Sequence, residues 1–494
     1  MKKYILNIFV ALSVCSGMSS CSNFFDTDYS KGVDVATGLS SVNNIETALN
    51  GTYYQLFYYG FAGNYALTIG DVPTDISYWN TDKKHWDSFY TFTVLDTDSY
   101  LKYIWNYGYK VVDNASRIIE ASQNLYEHST KEQQQTLNTC MAEAYALRGY
   151  AELMLTNIFG HQVKVNGEDF SSQPGIVVVN KPVPALTQVT RSTIGQSYNA
   201  VVSDLTQSLD MFKLAGGDRG ELVYFGEAAV YGLLARTNLY LEKWDEAMQY
   251  AQQALDAAKI TTLTYGKDNY KALYNTETSN TESMFALAIT NNTNWSASSI
   301  GTLWESYGYS PSPKLLSLYG ANDCRTSVFN YSKESTATKP IFTGGKFSHF
   351  SSGNPARGTC YIVNAPEMFL IIAEANLRSS KGTFANAQKA LLIVAKRNAD
   401  IASANDLPVT TDGLMSFLKD ERARELFQEG FRLYDLRRWN EVVDVYAINA
   451  PNIDFIYHNY KIANLTFPVP ADEINAGFGV EQTPGWADTL PERD

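Results

Sequence analysis

Catalytic signatures are missing from this 494-residue chain. GxSxG, GxxxxGK[ST] and HExxH do not occur, so nothing marks a nucleophile elbow, a phosphate loop or a zinc-peptidase helix. Gly344-Gly345-Lys346 is a phosphate-loop fragment without the upstream glycine or the following Ser/Thr, and reads as a turn. Histidine is scarce: His85, His128, His161, His349 and His458 are scattered with no ligand spacing, so no metal site and no cofactor is expected. Asp26 to Gly32 has the look of a calcium loop, but its glycine comes one place late and no Glu closes it. Cys140, Cys324 and Cys360 make no CxxC pair; a Cys324–Cys360 bridge is permitted, not established. Charged residues are only 18% of the chain and the net charge is -13, which repels nucleic acid. No apolar run approaches the roughly 20 residues that span a bilayer.

What is present begins at the N-terminus. Lys2 and Lys3 precede an apolar run from Tyr4 to Val14, and small residues fill Ser16 to Ser20. That order is a bacterial export signal over 1–20. Met18-Ser19-Ser20-Cys21 fits a lipobox, so Cys21 is expected to carry lipid and residues 21–42 to tether the folded part. At about 0.8 kcal/mol per buried methylene, a multiply acylated cysteine holds a soluble domain on a membrane. Membrane attachment is therefore expected by the anchor alone.

The chain beyond is expected to be mainly α. Tyr231, Leu234, Ala235, Ala247, Ala254 and Leu255 fall at tetratricopeptide spacing, and the Ala235-to-Ala247 step recurs from Ala375 to Ala387. One such unit cannot bury its own apolar face, so further pairs are required. Met141–Gly160 and Ile194–Phe212 read as another pair, and 44–58, 100–125 and 414–439 as further helices. Between the paired helices, 161–190 contains Ile176-Val-Val-Val-Asn180 and reads as a strand or hairpin insert. Residues 262–359 are rich in Asn, Ser, Thr, Gly and aromatics, and lack helical periodicity. They divide a helical part, 43–261, from a second part, 262–494, that opens with this loop-rich insert.

Several co-ordered motifs then resemble the SusD/RagB family of outer-membrane nutrient-binding lipoproteins of Bacteroidetes. They are Asp420-Glu-Arg-Ala-Arg-Glu-Leu-Phe-Gln-Glu-Gly-Phe-Arg-Leu-Tyr-Asp-Leu-Arg-Arg-Trp439, the Ala142-to-Gly160 helix, the Ala-Glu-Ala at 373–375, and the ending from Leu465 to Trp486. With the lipobox they cover essentially the whole chain. The resemblance implies a scaffold of four tetratricopeptide-like helix pairs carrying a loop-rich region. It also implies a cell-surface binding protein, anchored in the outer membrane, that hands an oligosaccharide to a SusC-like TonB-dependent transporter. A RagB-like peptide importer and a lipid-anchored glycoside hydrolase are the alternatives. Within 420–439, Asp420–Arg424, Glu421–Arg424, Glu429–Arg432 and Asp435–Arg438 have the spacing of ion pairs, which reads as a structural lattice rather than a catalytic centre.

Binding without chemistry needs stackable rings beside polar groups. Two loop stretches supply them: Tyr78, Trp79, Asn80, Asp82 and Trp86 in the first, Trp295, Trp304, Tyr307 and Tyr309 in the second. These nine are the candidate ligand-binding residues. Their chain positions are similar to the segments that furnish binding aromatics in starch-binding members of the family.

Overall fold

A computed structural model describes residues 38–80, 83–276, 278–290, 292–337, 339–347, 354–448 and 454–491. The export signal, Cys21 and Asp82 lie outside these residues. Among the described residues, no helix is long and apolar enough to cross a membrane.

The scaffold is a series of helices in which each packs on the next: α1 (Val42–Phe57), α2 (Ser99–Tyr126), α3 (Lys131–Phe159), α4 (Ile194–Ala215), α5 (Glu227–Tyr240), α6 (Trp244–Ala258), α7 (Ala365–Arg378), α8 (Phe384–Ala395) and α9 (Thr411–Glu425). Local chemistry sets their starts. Asp98 caps α2 by accepting from the Tyr100 N–H, and Thr130 with Gln133, and Thr193 with Gln196, close reciprocal capping boxes on α3 and α4. From Leu137 onward α3 is buried on nearly every side, which makes it the centre of the N-terminal core. α6 packs directly on α7, so the helical series runs on across the long loop-rich stretch between them. Arg236 on α5 clamps Glu367 on α7 with two buried 2.7 Å bonds.

The strands form small antiparallel pairs: β1 (Ser77–Trp79) with β5 (Tyr309–Pro311), β2 (Lys164–Val165) with β3 (Glu168–Asp169), β4 (Ser283–Leu287) with β6 (Cys360–Asn364), and β7 (Val442–Tyr446) with β8 (Phe455–Lys461). The insert after α3 thus holds a two-residue hairpin, but Ile176–Asn180 is not a strand. Most of its backbone bonds go to helix side chains instead. The Val177 N–H and C=O both meet the Tyr109 hydroxyl (2.8 and 3.1 Å), the Val179 N–H donates to Glu152 Oε1 (3.1 Å), and the Val179 C=O accepts from Ser116 (3.2 Å). Extended backbone needs partners, and here helices α2 and α3 provide them.

The motif at 420–439 is not one helix. α9 ends at Glu425, and a second helix, α10, runs from Arg432 to Arg438. Between them Gln428 and Gly430 take left-handed φ of 68° and 79°. The buried carboxylate of Asp71 accepts from the Gly430 and Arg432 N–H groups (3.0 and 3.3 Å), replacing the helical acceptors that the break removes. A Cβ on Gly430 would lie 2.6 Å from the Leu67 carbonyl oxygen, so this glycine is set by a close backbone approach.

The loop-rich region is tied to α9 by buried charge. Arg325 bonds Asp323 (2.7 Å), Glu421 (2.7 Å) and Glu425 (3.0 Å), and Arg397 bridges Glu425 to Glu282. Lys346, from the Gly-Gly-Lys fragment, is buried on Glu429 (2.6 Å) and so serves this anchoring. Cys140, Cys324 and Cys360 are all buried free thiols; the permitted bridge is not formed.

Candidate functional site

The two aromatic stretches meet in space. β1 and β5 pair with Trp79 opposite Tyr309, and those rings stack 6.1 Å apart at 15°. The Trp79 indole N–H donates to the Tyr307 carbonyl (3.1 Å), and the Tyr309 hydroxyl donates to the His85 carbonyl (2.9 Å).

That meeting buries most of the expected binding residues. Tyr78, Trp79, Asn80, Trp86, Trp304 and Tyr309 are all shut from solvent. Their open-face role is therefore corrected: partners from elsewhere in the chain cover the rings. Trp86 stacks on Tyr100 (4.3 Å) and leans on Phe89 (4.7 Å), Trp304 meets Phe427 edge-on (5.1 Å), and Tyr78 faces Tyr446 (6.5 Å). These residues fasten the two loops to each other and to the core.

Trp295 and Tyr307 remain at the surface, half-buried. Trp295 donates its indole N–H to the Phe57 carbonyl (3.0 Å), one of the acceptors that a helix end leaves open. Its ring lies against Phe57 (5.1 Å), Tyr58 (4.9 Å), Tyr59 (5.7 Å) and Tyr54 (5.7 Å). Tyr58 stacks on Tyr107 of α2 at 4.0 Å, Tyr59 continues to Tyr103 (5.9 Å) and Tyr65 (5.4 Å), and Tyr65 to Tyr100 (4.9 Å). The rings from Tyr54 through Trp295, Tyr58 and Tyr59 to Tyr107 and Tyr103 form a continuous, half-exposed platform, with Tyr54 53% exposed, and Tyr307 with His85 makes a separate stack (3.8 Å). Gly60 lies beneath it; a Cβ there would touch Tyr103, Tyr107 and Tyr58 at 3.0 to 3.2 Å.

The platform is lined with neutral hydroxyls. The rings of Tyr58, Tyr59, Tyr103 and Tyr107 lie side by side, which gathers four phenols on this surface. Burial first, then the neighbouring phenols, holds the Tyr58 pKa well above its ordinary value; Tyr59 is the main cause of the rise at Tyr103, and burial pushes Tyr100 up to about 12. Such a surface presents apolar faces together with groups that both donate and accept. Among the described residues, no group of three or more His, Cys, Asp or Glu is placed to hold a metal ion.

Most of the charges at 420–439 are buried in ion pairs, while Asp420 is half-buried and Arg437 donates to the Asn157 and Gly160 carbonyls. Glu421–Arg424 (2.7 Å) and Asp435–Arg438 (2.9 Å) form as their spacing suggests. Glu429 and Arg432 do not pair with each other, because tertiary partners are better placed: Glu429 takes Lys346, and Arg432 grips Asp75 with two 2.8 Å bonds. Arg424 takes the Leu318 carbonyl (3.2 Å) beside Glu421, and the Asp420–Arg424 pair is not among those formed by the described residues.

A family model for starch-binding proteins associating with the outer membrane matches residues 34–241, and the model of the SusD family matches 346–486. The chain belongs to the SusD family. Its fold is that of solved SusD-family structures. A SusD superfamily protein of Bacteroides thetaiotaomicron superposes with a TM-score of 0.78 at 22% identity, over 90% of this chain and 100% of that one. A putative sugar binding protein of Bacteroides vulgatus gives 0.78 at 22%, over 91% and 100%. A SusD-like carbohydrate binding protein of the same species gives 0.68 at 19%, over 82% and 85%. No curated protein matches.

On this SusD-family scaffold, sequence reasoning missed Tyr54, Tyr58, Tyr59, Tyr103 and Tyr107. Two signals point to them: the run Tyr53-Tyr-Gln-Leu-Phe-Tyr-Tyr59 at the end of α1, and Tyr100, Tyr103 and Tyr107 at one-face spacing on α2.

Proposed function

We propose that the protein is a non-enzymatic, lipid-anchored binding protein at the outer membrane, facing the cell exterior, that captures an oligosaccharide on the tyrosine-rich platform and passes it to a SusC-like TonB-dependent transporter. The carrying observation is the run of half-exposed rings in contact from Tyr54 through Trp295, Tyr58 and Tyr59 to Tyr107 and Tyr103, with their phenol hydroxyls close together. Sugar rings offer apolar C–H faces and a rim of hydroxyls, and this surface complements both. The family description and the names of the two Bacteroides vulgatus proteins support the sugar assignment. Of the nine residues first singled out, Trp295 and Tyr307 keep a direct ligand role; Tyr78, Trp79, Asn80, Trp86, Trp304 and Tyr309 hold the platform's loops in place.

The test is calorimetric titration of the purified protein with a panel of glycans and a mixed peptide pool, each glycan being checked afterwards for cleavage. Saturable glycan binding without products is expected, with Trp295→Ala weakening it by about 1 to 3 kcal/mol. Peptide binding in place of glycan, or released reducing ends, overturns the assignment.

A further inference from the structure

Beside the platform lies a cleft of about 450 Å³ between α2 and the insert that follows α3. Its size is in the range of small-ligand pockets. Trp105 and Tyr109 of α2 form one wall, and Val177, Val179, Val183 and Val189 of the insert the other. The insert wall is fixed, because the backbone of Val177 and Val179 is bonded to Tyr109, Glu152 and Ser116. The Trp105 indole N–H donates to Glu473 (3.2 Å), which lines the cleft as well. Asn106, Lys110, Asp113 and Asn114 bring amides and charges of both signs to this apolar trough.

The cleft continues the platform. Tyr103, Tyr107, Lys110 and Asn114 stand at i, i+4, i+7 and i+11 on α2, a single helical face about 16 Å long at 1.5 Å per residue. Tyr103 and Tyr107 belong to the ring platform, whereas Lys110 and Asn114 line the cleft. The joint is a direct contact: the Lys110 ammonium lies 4.1 Å from the centre of the Tyr107 ring. The two surfaces complement the same chemistry, rings and neutral hydroxyls on one side, an apolar trough with two asparagine amides on the other.

We propose that the cleft is a second subsite for the distal units of a linear, uncharged oligosaccharide whose first units lie on the platform, so that the protein selects for chain length. This rests on the platform being the sugar site. A short ligand engages the rings alone, and a longer one gains the cleft contacts without a second association cost.

The test uses size-graded malto-, cello-, manno-, xylo- and fructo-oligosaccharides, from disaccharide to octasaccharide, titrated into the purified protein and its Asn114→Ala, Val189→Trp and Trp295→Ala variants. Val189→Trp fills the cleft from a half-buried loop position, and a thermal melt of each variant establishes that it is folded. In the unaltered protein, affinity for the bound series is expected to rise by about tenfold or more with length. The two cleft variants are expected to remove most of that rise while leaving the shortest bound oligomer within about twofold; Trp295→Ala is expected to weaken every length. Equal octasaccharide affinity in the folded cleft variants and the unaltered protein overturns the subsite and leaves the platform assignment standing. No binding by any member of any series overturns both.

Discussion

Replacing Glu374 with Gln tests whether the charged motif at 420–439 is structural. Glu374 on α7 is fully buried and accepts from Arg438 through both oxygens (2.6 and 2.7 Å), from the Trp439 indole (2.9 Å) and from Arg378 (3.1 Å). Arg438 also holds Asp435, which in turn holds Arg422 (2.7 Å). Three guanidinium groups thus share two carboxylates. The Gln variant keeps the shape, removes one negative charge, and turns an amide N–H₂ toward groups that can only donate. Breaking a buried pair from one side costs about 3 to 5 kcal/mol. The carboxylate's own titration gives a similar figure. Burial alone would raise its pKa, yet Arg438 first and then Arg378 and Arg422 hold it down from 4.5 to about 2. That gap corresponds to about 3 kcal/mol. Because the folded pKa is depressed, this stabilisation is fully present above about pH 4.5 and is lost as the pH falls through about 2. Urea unfolding at pH 7 and at steps down to pH 2 should show the variant about 3 to 5 kcal/mol less stable at pH 7, with the gap closing on acidification. A loss below about 1 kcal/mol at pH 7, or a gap that ignores pH, would refute the structural reading.

Three further outcomes are expected. Gly430→Ala should destabilise by about 2 kcal/mol or more, since a Cβ meets the Leu67 carbonyl at a left-handed φ, whereas Gly51→Ala, on open helix surface, should stabilise by up to about 1 kcal/mol; equal effects in urea unfolding would count against both assignments. Burial, opposed in part by Arg219 at Glu143 and by backbone N–H groups at Asp71 and Glu152, pushes the carboxyl pKa values up to about 7, 7 and 8 respectively. Their folded pKa values are raised, so the folded protein holds extra protons and its melting temperature should fall as the pH rises from about 5 to 8; a rise across that window would refute this. Burial likewise pushes the thiols of Cys140, Cys324 and Cys360 up to about 12, 11 and 12, so a thiol reagent should label none of the three in the native protein at pH 7.5 and all three in urea, and reductant should leave the melting temperature unchanged.

Local signals made the scaffold legible. The helix expected at 194–212 is observed at 194–215, and that expected at 100–125 at 99–126, because a polar cap and an apolar period both lie within the segment. The break after Glu425 was not legible: the acceptor that makes it affordable, Asp71, lies more than three hundred residues away. The site divided in the same way. Two loops rich in Trp and Tyr were visible as a pair, but ring exposure is decided by partners such as Tyr100, Phe427 and Tyr446, which no local pattern names. Conversely, Tyr103 and Tyr107 share one face of α2 in the sequence, but that this face turns to solvent and gathers with Tyr58 and Tyr59 is set by tertiary packing.

The pairing of Trp79 with Tyr309 has a kinetic consequence. It closes a loop of more than two hundred residues, and the platform above it draws on three remote stretches of chain. Contacts of such high sequence separation form late, because their closure entropy must be met before they stabilise anything. Helices α1 to α4 hold mostly local contacts and can assemble early, presenting Tyr58 and Tyr107 without Trp295 or Tyr307. A chain halted before residue 295 would therefore carry half of the ring surface and none of its lock, so that ligand affinity should appear in the last phase of refolding, after most of the helical signal has returned.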